Sequence, residues 1–204
     1  MKIVIALCLC GLTTVVSAQT QKIFTGPESL FRFKYSEILV DCIPMLTQDK
    51  APSALDACVS QYPVCGVGGD AARTIACFGY PKTEFKEKPT FIAAMFFVAE
   101  IPVARTEKDC LRGSPNWLVS KTGRTTVNGV SFEVFRTEDN WLGGGQSVEI
   151  YRTFHGGRCY ELGLQTVMGG GGYDPEVIQR FTPRDQKEIE TRMKEPIRSF
   201  QFAK

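Results

Sequence analysis

Histidine is nearly absent from this chain of 204 residues, which carries one, His155. A single imidazole excludes the multi-histidine sets that hold catalytic zinc, and no two cysteines stand in C-x2-C spacing. Phosphate-binding signatures are missing too. The glycine tracts Gly143–Gly145 and Gly169–Gly172 lack the Lys-Ser/Thr of a P-loop and the strand–G-x-G-x-x-G–helix setting. There is no G-x-S-x-G nucleophile elbow. The acid pairs Glu138-Asp139 and Asp174-Glu176 do not form the D-x-D-x-D-G pattern of a calcium loop. Strong charge of either sign is also lacking. At a formal net charge of +2 there is no field to gather nucleic acid or anionic lipid. Past the N-terminus, no hydrophobic run reaches membrane length. These absences predict no metal, no cofactor, no nucleic-acid partner, no membrane span and no catalytic residue set.

What is present begins with an export signal. Met1–Ala18 pairs a basic Lys2 with the apolar stretch Ile3–Leu12 and a small-residue cleavage site at Val16-Ser17-Ala18. Cleavage near Ala18 predicts a secreted or periplasmic protein. Leu7-Cys8-Leu9-Cys10 has the look of a lipoprotein box, but it leaves no normal apolar region ahead of it. Cys8 and Cys10 depart with the signal, leaving Cys42, Cys58, Cys65, Cys77, Cys110 and Cys159. An even set in an exported chain reads as disulfides, although sequence alone does not choose among the pairings. The spacing favours a local Cys58–Cys65 bridge and a long Cys110–Cys159 bridge, with Cys42–Cys77 left by elimination.

The remaining length suits one domain spanning residues 30–204, after a loose, polar lead-in over 19–29. Leu30–Tyr35 alternates, with Phe31, Phe33 and Tyr35 on one face, and reads as a half-buried strand. Ser53 begins a helix that Pro63 ends, with Leu55, Cys58, Val59 and Tyr62 on one side. Arg73–Tyr80 is a further strand. Thr90–Ile101 is apolar on both faces, so something, expected to be helices, covers each face. Thr106–Arg112 reads as a helical turn carrying Cys110. Trp117–Val119 and Arg124–Val127 are short strands. Asn128-Gly129 then makes a two-residue type I′ turn into Val130–Phe135. Asp174-Pro175 caps a short helix through Phe181. Thr182-Pro183 with Asp185 starts another, whose buried stripe is Ile189, Met193 and Ile197 and which Pro196 kinks or ends. Ser199–Phe202 closes the chain as a strand.

Between Gly129 and Val167 three alternating runs are separated by glycine-rich turns, predicting consecutive antiparallel strands. Two registers compete around His155-Gly156-Gly157. A two-residue Gly-Gly loop pairs Arg152 with Glu161 and sets Ile150 opposite Gly163. A three-residue loop sets Ile150 opposite Leu162 and Val148 opposite Leu164. The second collects the apolar residues on one face and is preferred here. His155 is expected at an exposed turn. Asn140–Gly145 is expected as a flexible connection. It holds Trp141, the aromatic residue that alternating core positions do not explain; one reading folds it back onto the sheet edge, and the other makes Trp141 with Gly143, Gly144 and Gly145 the partner contact.

The order of elements resembles the PsbP-like superfamily, named for the extrinsic subunit of photosystem II. The cues are the opening aromatic strand Leu30–Tyr35, the apolar strand Phe91–Val98 and the Asn-Gly hairpin into Val130–Phe135. The hairpin Tyr151-Arg152-Thr153 … Cys159-Tyr160-Glu161-Leu162, the late amphipathic helix and the closing Ser199-Phe200-Gln201-Phe202 strand complete them. The resemblance implies an α+β fold, a central antiparallel sheet with helices on both faces, and an accessory or adaptor role without catalysis. The chain differs from the plant subunit in its many cysteines and its bacterial-type signal, and no functional residue carries across. The expectation is an exported, non-catalytic domain that binds an envelope or secreted protein. The alternatives are a hydrolase using His155 with Cys159 or a serine, and an inhibitor of a secreted enzyme.

Overall fold

Strand β5 (Phe91–Glu100) has almost no polar residue, and eight of its ten positions are buried, Phe96 and Phe97 completely. The computed structural model describes residues 20–42, 58, 65, 72–85, 90–112, 120–141, 144–169 and 182–203, and places β5 inside a seven-stranded antiparallel sheet. Its companions are β3 (Val40–Asp41), β4 (Arg73–Gly79), β6 (Ser120–Val127), β7 (Val130–Trp141), β8 (Gly144–His155) and β9 (Arg158–Gly169), in the order β3-β4-β5-β9-β8-β7-β6. A second sheet of three strands has the order β1-β2-β10, with β1 (Gln21–Thr25), β2 (Phe31–Ser36) and β10 (Gln201–Phe202). Three α-helices are described: α1 (Glu107–Leu111), α2 (Pro183–Met193) and α3 (Glu195–Ser199).

One face of the large sheet carries Phe78, Phe96, Val98, Phe132, Leu162 and Leu164. The small sheet and the C-terminal helices cover it with Phe31, Phe33, Ile189, Met193, Ile197 and Phe200. The rings meet edge to face, the favoured aromatic geometry. Phe33 lies 5.2 Å from Phe96 and 5.9 Å from Phe78, centroid to centroid. The Thr182–Asp185 capping box and Pro183 start α2 as the residues dictate, and Pro196 stands in the first turn of α3.

The other face carries Ala93, Met95, Phe97, Phe135, Val148, Ile150 and Val167. Its described cover is Cys42, Cys58 and Cys65, with the short helix α1 against β8 and β9, so helices packed on both faces are not supported among the described residues. A two-sided apolar strand demands cover, but it does not specify that the cover be helical. Disulfides hold this one down: Cys42–Cys58, Cys65–Cys77 and Cys110–Cys159. The long bridge is as expected; the other two are not Cys58–Cys65 and Cys42–Cys77. Cys42 donates its N–H to the Cys77 carbonyl at 2.8 Å, so the two are neighbours at the sheet margin. Each nevertheless bonds outward, to Cys58 and Cys65 respectively. Closeness along the chain misled because both covering cysteines bond down to the sheet.

Three further expectations change. Gln21–Thr25, read as a loose lead-in, is a strand paired with β2. The Asn140–Gly145 connection is mostly strand: β7 runs to Trp141 and β8 starts at Gly144, opposite it. The register around Gly156-Gly157 is the one set aside, with Arg152 opposite Glu161 and Ile150 opposite Gly163. Gly156 (φ 57) and Gly157 (φ 77) both take left-handed backbone, the two-residue primed turn. Gly163 faces no void there. A Cβ on it would stand 2.0 Å from the Phe97 ring, which crosses the bare backbone from β5. Apart from Cys58, helix 53–62 lies outside the described residues, as do strand 117–119, the helix after Asp174 and the signal over 1–18.

Candidate functional site

The corrected register separates the residues that invited a catalytic reading. Cys159 pairs with Phe154 on the disulfide-covered face, where Cys110 consumes its sulfur. His155, the next position on β8, turns to the opposite face. Its ring stacks on Phe202, with centroids 3.8 Å apart and planes within 8°. No proton can pass from a Cys159 thiol to His155, because the thiol does not exist and the sheet lies between them. Among the described residues, no three of His, Cys, Asp and Glu gather as metal ligands do.

His155 and Phe202 border a groove of about 700 Å³ at the turn end of the large sheet. Phe31, Arg32, Asn128 and Val130 also line it. The Asn128-Gly129 turn is built as its sequence dictates, with φ of 48 and 83°. Asn128 also braces the groove from below. Its side-chain amide donates to the carbonyls of Arg198, at 3.1 Å, and Phe200, at 2.9 Å. The β6–β7 hairpin is thereby tied to the end of α3 and the entry to β10.

A row of alternating charges crosses the disulfide-covered face: Arg124 on β6, Glu133 on β7, Arg152 on β8 and Glu161 on β9. Arg152 Nε donates to Glu161 Oε2 at 2.8 Å, and Nη1 donates to the Arg112 carbonyl at 3.0 Å. The Arg152 and Glu161 side chains are 6% and 0% exposed. The Arg152 guanidinium also lies 5.5 Å from the centre of the Phe135 ring. Glu133 receives Lys121 Nζ at 2.7 Å and Arg124 Nε at 3.0 Å. Hydrogen bonds from Lys121 first, and from Arg124, hold its carboxyl below the usual range. On the opposite face burial works to raise Glu149. Hydrogen bonds from Arg136, Tyr151 and Lys194 outweigh it and lower the carboxyl overall. Glu149 thus links Lys194, at the C-terminal end of α2, to the sheet at 3.1 Å. These ion pairs organise structure, tying neighbouring strands to one another and α2 to the sheet. Sequence reading missed the row by choosing the wrong register; the Arg152–Glu161 match in the alternative register was its signal.

The expected contact lies at the other end of β8. Gly144 and Gly145 line a cleft of about 350 Å³ with Asn140, Gln146 and Gln186. Trp141 is placed only as a strand residue opposite Gly144, and Gly143 falls outside the described residues. The structure therefore brings Gly144, Gly145 and the Trp141 backbone together at a hairpin tip, apart from His155.

No protein-family model matches the chain, and no curated protein does either. Solved structures resemble it at low identity. The cyanobacterial PsbP (CyanoP) of Synechocystis sp. PCC 6803 is 8% identical, with a TM-score of 0.45, over 95% of this chain and 99% of that one. The Ran-binding protein Mog1p of Saccharomyces cerevisiae is 8% identical, TM-score 0.40, over 90% and 96%. A protein of Bacteroides thetaiotaomicron VPI-5482 is 10% identical, TM-score 0.40, over 90% of this chain; the match spans about half (48%) of that protein. At these levels the description of the site rests on the chain's own geometry.

Proposed function

We propose that this is an exported, non-catalytic domain that binds a protein partner of the envelope or extracellular space. One observation carries the reading: His155 and Cys159, the pair that invited a catalytic reading, are each engaged in structural contacts. Cys159 is bonded to Cys110, and His155 lies flat against Phe202. Three disulfides suit an oxidising environment outside the cytoplasm, in keeping with a signal over Met1–Ala18. The contact is assigned to the β7–β8 hairpin tip, Trp141 with Gly143, Gly144 and Gly145, beside its cleft. A photocrosslinking amino acid in place of Trp141 is expected to capture a discrete partner in the host, whereas one in place of the exposed Lys108 is not. Equal capture from both positions, or from neither, removes the hairpin-tip assignment. Should His155→Ala abolish a hydrolytic activity of the purified chain without changing its melting temperature, the non-catalytic reading falls.

A further inference from the structure

We infer that the groove between β10 and the two hairpin turns takes an extended peptide segment bearing an acidic residue, which pairs with the outer edge of β10. β10 closes the small sheet and has β2 as its one ladder partner among the described residues. The Ala203 N–H donates to the Leu30 carbonyl at 2.9 Å, and Gln201 lies opposite Arg32 in the same register. In an antiparallel ladder the residues between such hydrogen-bonded pairs direct their N–H and C=O away from the partner strand. The Phe200 carbonyl and both backbone groups of Phe202 therefore face outward, while the Phe200 N–H donates to the Ile197 carbonyl at 3.1 Å. Asn128 already engages the first of these, donating its side-chain amide to the Phe200 carbonyl as an added strand would. The next outward N–H and C=O belong to Phe202, which lines the 700 Å³ groove.

Charge and shape define the occupant. The groove wall holds the exposed Arg32 and His155, and among the described residues no Asp or Glu. A guanidinium selects a carboxylate by its paired donors. Main-chain hydrogen bonds to an open strand edge supply affinity, and neighbouring side-chain pockets supply selection. The stacked His155–Phe202 pair and Val130 offer an apolar wall for a flanking side chain. The outer strand β6 is the counter-example. It carries Lys121 and Arg124 and a register shift between Lys121 and Gly123, devices that blunt an edge against added strands. β10 is uncharged and has no such shift.

The test uses the full chain after export and a phage-displayed library of random dodecapeptides. Enriched sequences are expected to alternate apolar residues and to include Asp or Glu. The most enriched peptide is then synthesised and titrated by fluorescence anisotropy. Arg32→Glu, at an exposed position, should keep the melting temperature and weaken binding by about tenfold or more, since it removes a hydrogen bond to a charged group. An analogue with lysine in place of the acid should bind Arg32→Glu better than it binds the original chain. Hydrogen exchange at the Phe202 amide should slow when the peptide is present. Unchanged binding to Arg32→Glu, unchanged exchange at Phe202, or selection of no acidic peptide overturns the inference. Concentration-dependent dimerisation that protects the same amide assigns the groove to a second copy and overturns it equally. None of these results bears on the hairpin tip, which stands at the far end of β8, roughly 35–40 Å away along a twelve-residue strand.

Discussion

The two faces of the large sheet begin from the same strand and are closed in different ways. From β5, Phe96 and Val98 point to one side, and Met95 and Phe97 to the other, all fully buried. On the first side the cover brings its own rings and aliphatic side chains, and packing suffices. On the second, the described cover is Cys42, Cys58 and Cys65. It is held by two disulfides, with a third fixing α1 and a buried charge row alongside. Apolar area on a sheet thus recruits a cover without determining its kind. Among the described residues, covalent bonds and ion pairs secure the second side where rings and aliphatic side chains secure the first.

The comparison is broken most severely at Arg152. Arg152→Ala leaves Glu161 buried without its guanidinium and should lower stability by about 3–5 kcal/mol in chemical denaturation. Replacing both partners, Arg152→Met with Glu161→Leu, should cost less than the single change, because no charge is left stranded. Next comes the long bridge. Cys110→Ser with Cys159→Ser should cost up to about 4 kcal/mol for a closure of 49 residues, read as a lower denaturation midpoint. The aromatic face should keep its ring-current-shifted methyl signals in that variant. Collapse of those signals would show that the two covers do not act separately. Gly163→Ala sharpens the contrast within one row, since its new Cβ meets the Phe97 ring; about 1–3 kcal/mol is expected, by calorimetry. The smallest effect is the pH dependence of Glu133. Its carboxyl is held below the usual range, so its contribution is present in full above ordinary carboxylate values and fades as pH falls through the lowered one. The stability difference between the original chain and Glu133→Gln should therefore shrink on acidification from about pH 6 to below pH 4.

Much of the fold could be read from residues that act locally. The Asn128-Gly129 turn, the Thr182–Asp185 capping box and the stripe of Ile189, Met193 and Ile197 each depend on neighbours a few positions away. The two-sided burial of β5 followed from its composition alone. β1 escaped notice because it is an exposed edge strand. Phe24 is its one inward anchor, stacked 5.0 Å from Phe33, so no alternation marks it. The β8–β9 register was misread because setting Ile150 opposite a glycine looked wasteful. The filling atoms come from Phe97, more than sixty positions earlier in the chain, and no local pattern reports them. The same limit hid the site. Neither the meeting of His155 with Phe202 nor the outward turn of β10 is written in either segment; both arise where the small sheet lands on the large one.

Strand order also has a kinetic meaning. β6, β7, β8 and β9 follow one another through short turns, whereas β5 joins β9 only by closing the long loop between Glu100 and Arg158. Local pairings cost little loop entropy and distant ones much more. The four-strand meander is thus expected to assemble first, and pulse-labelled amide exchange during refolding should protect Ile150 before Met95. Until β5 arrives, Gly163 is a notch in the growing sheet. The arrival of Phe97 in that notch is the step that turns a hairpin ladder into a core.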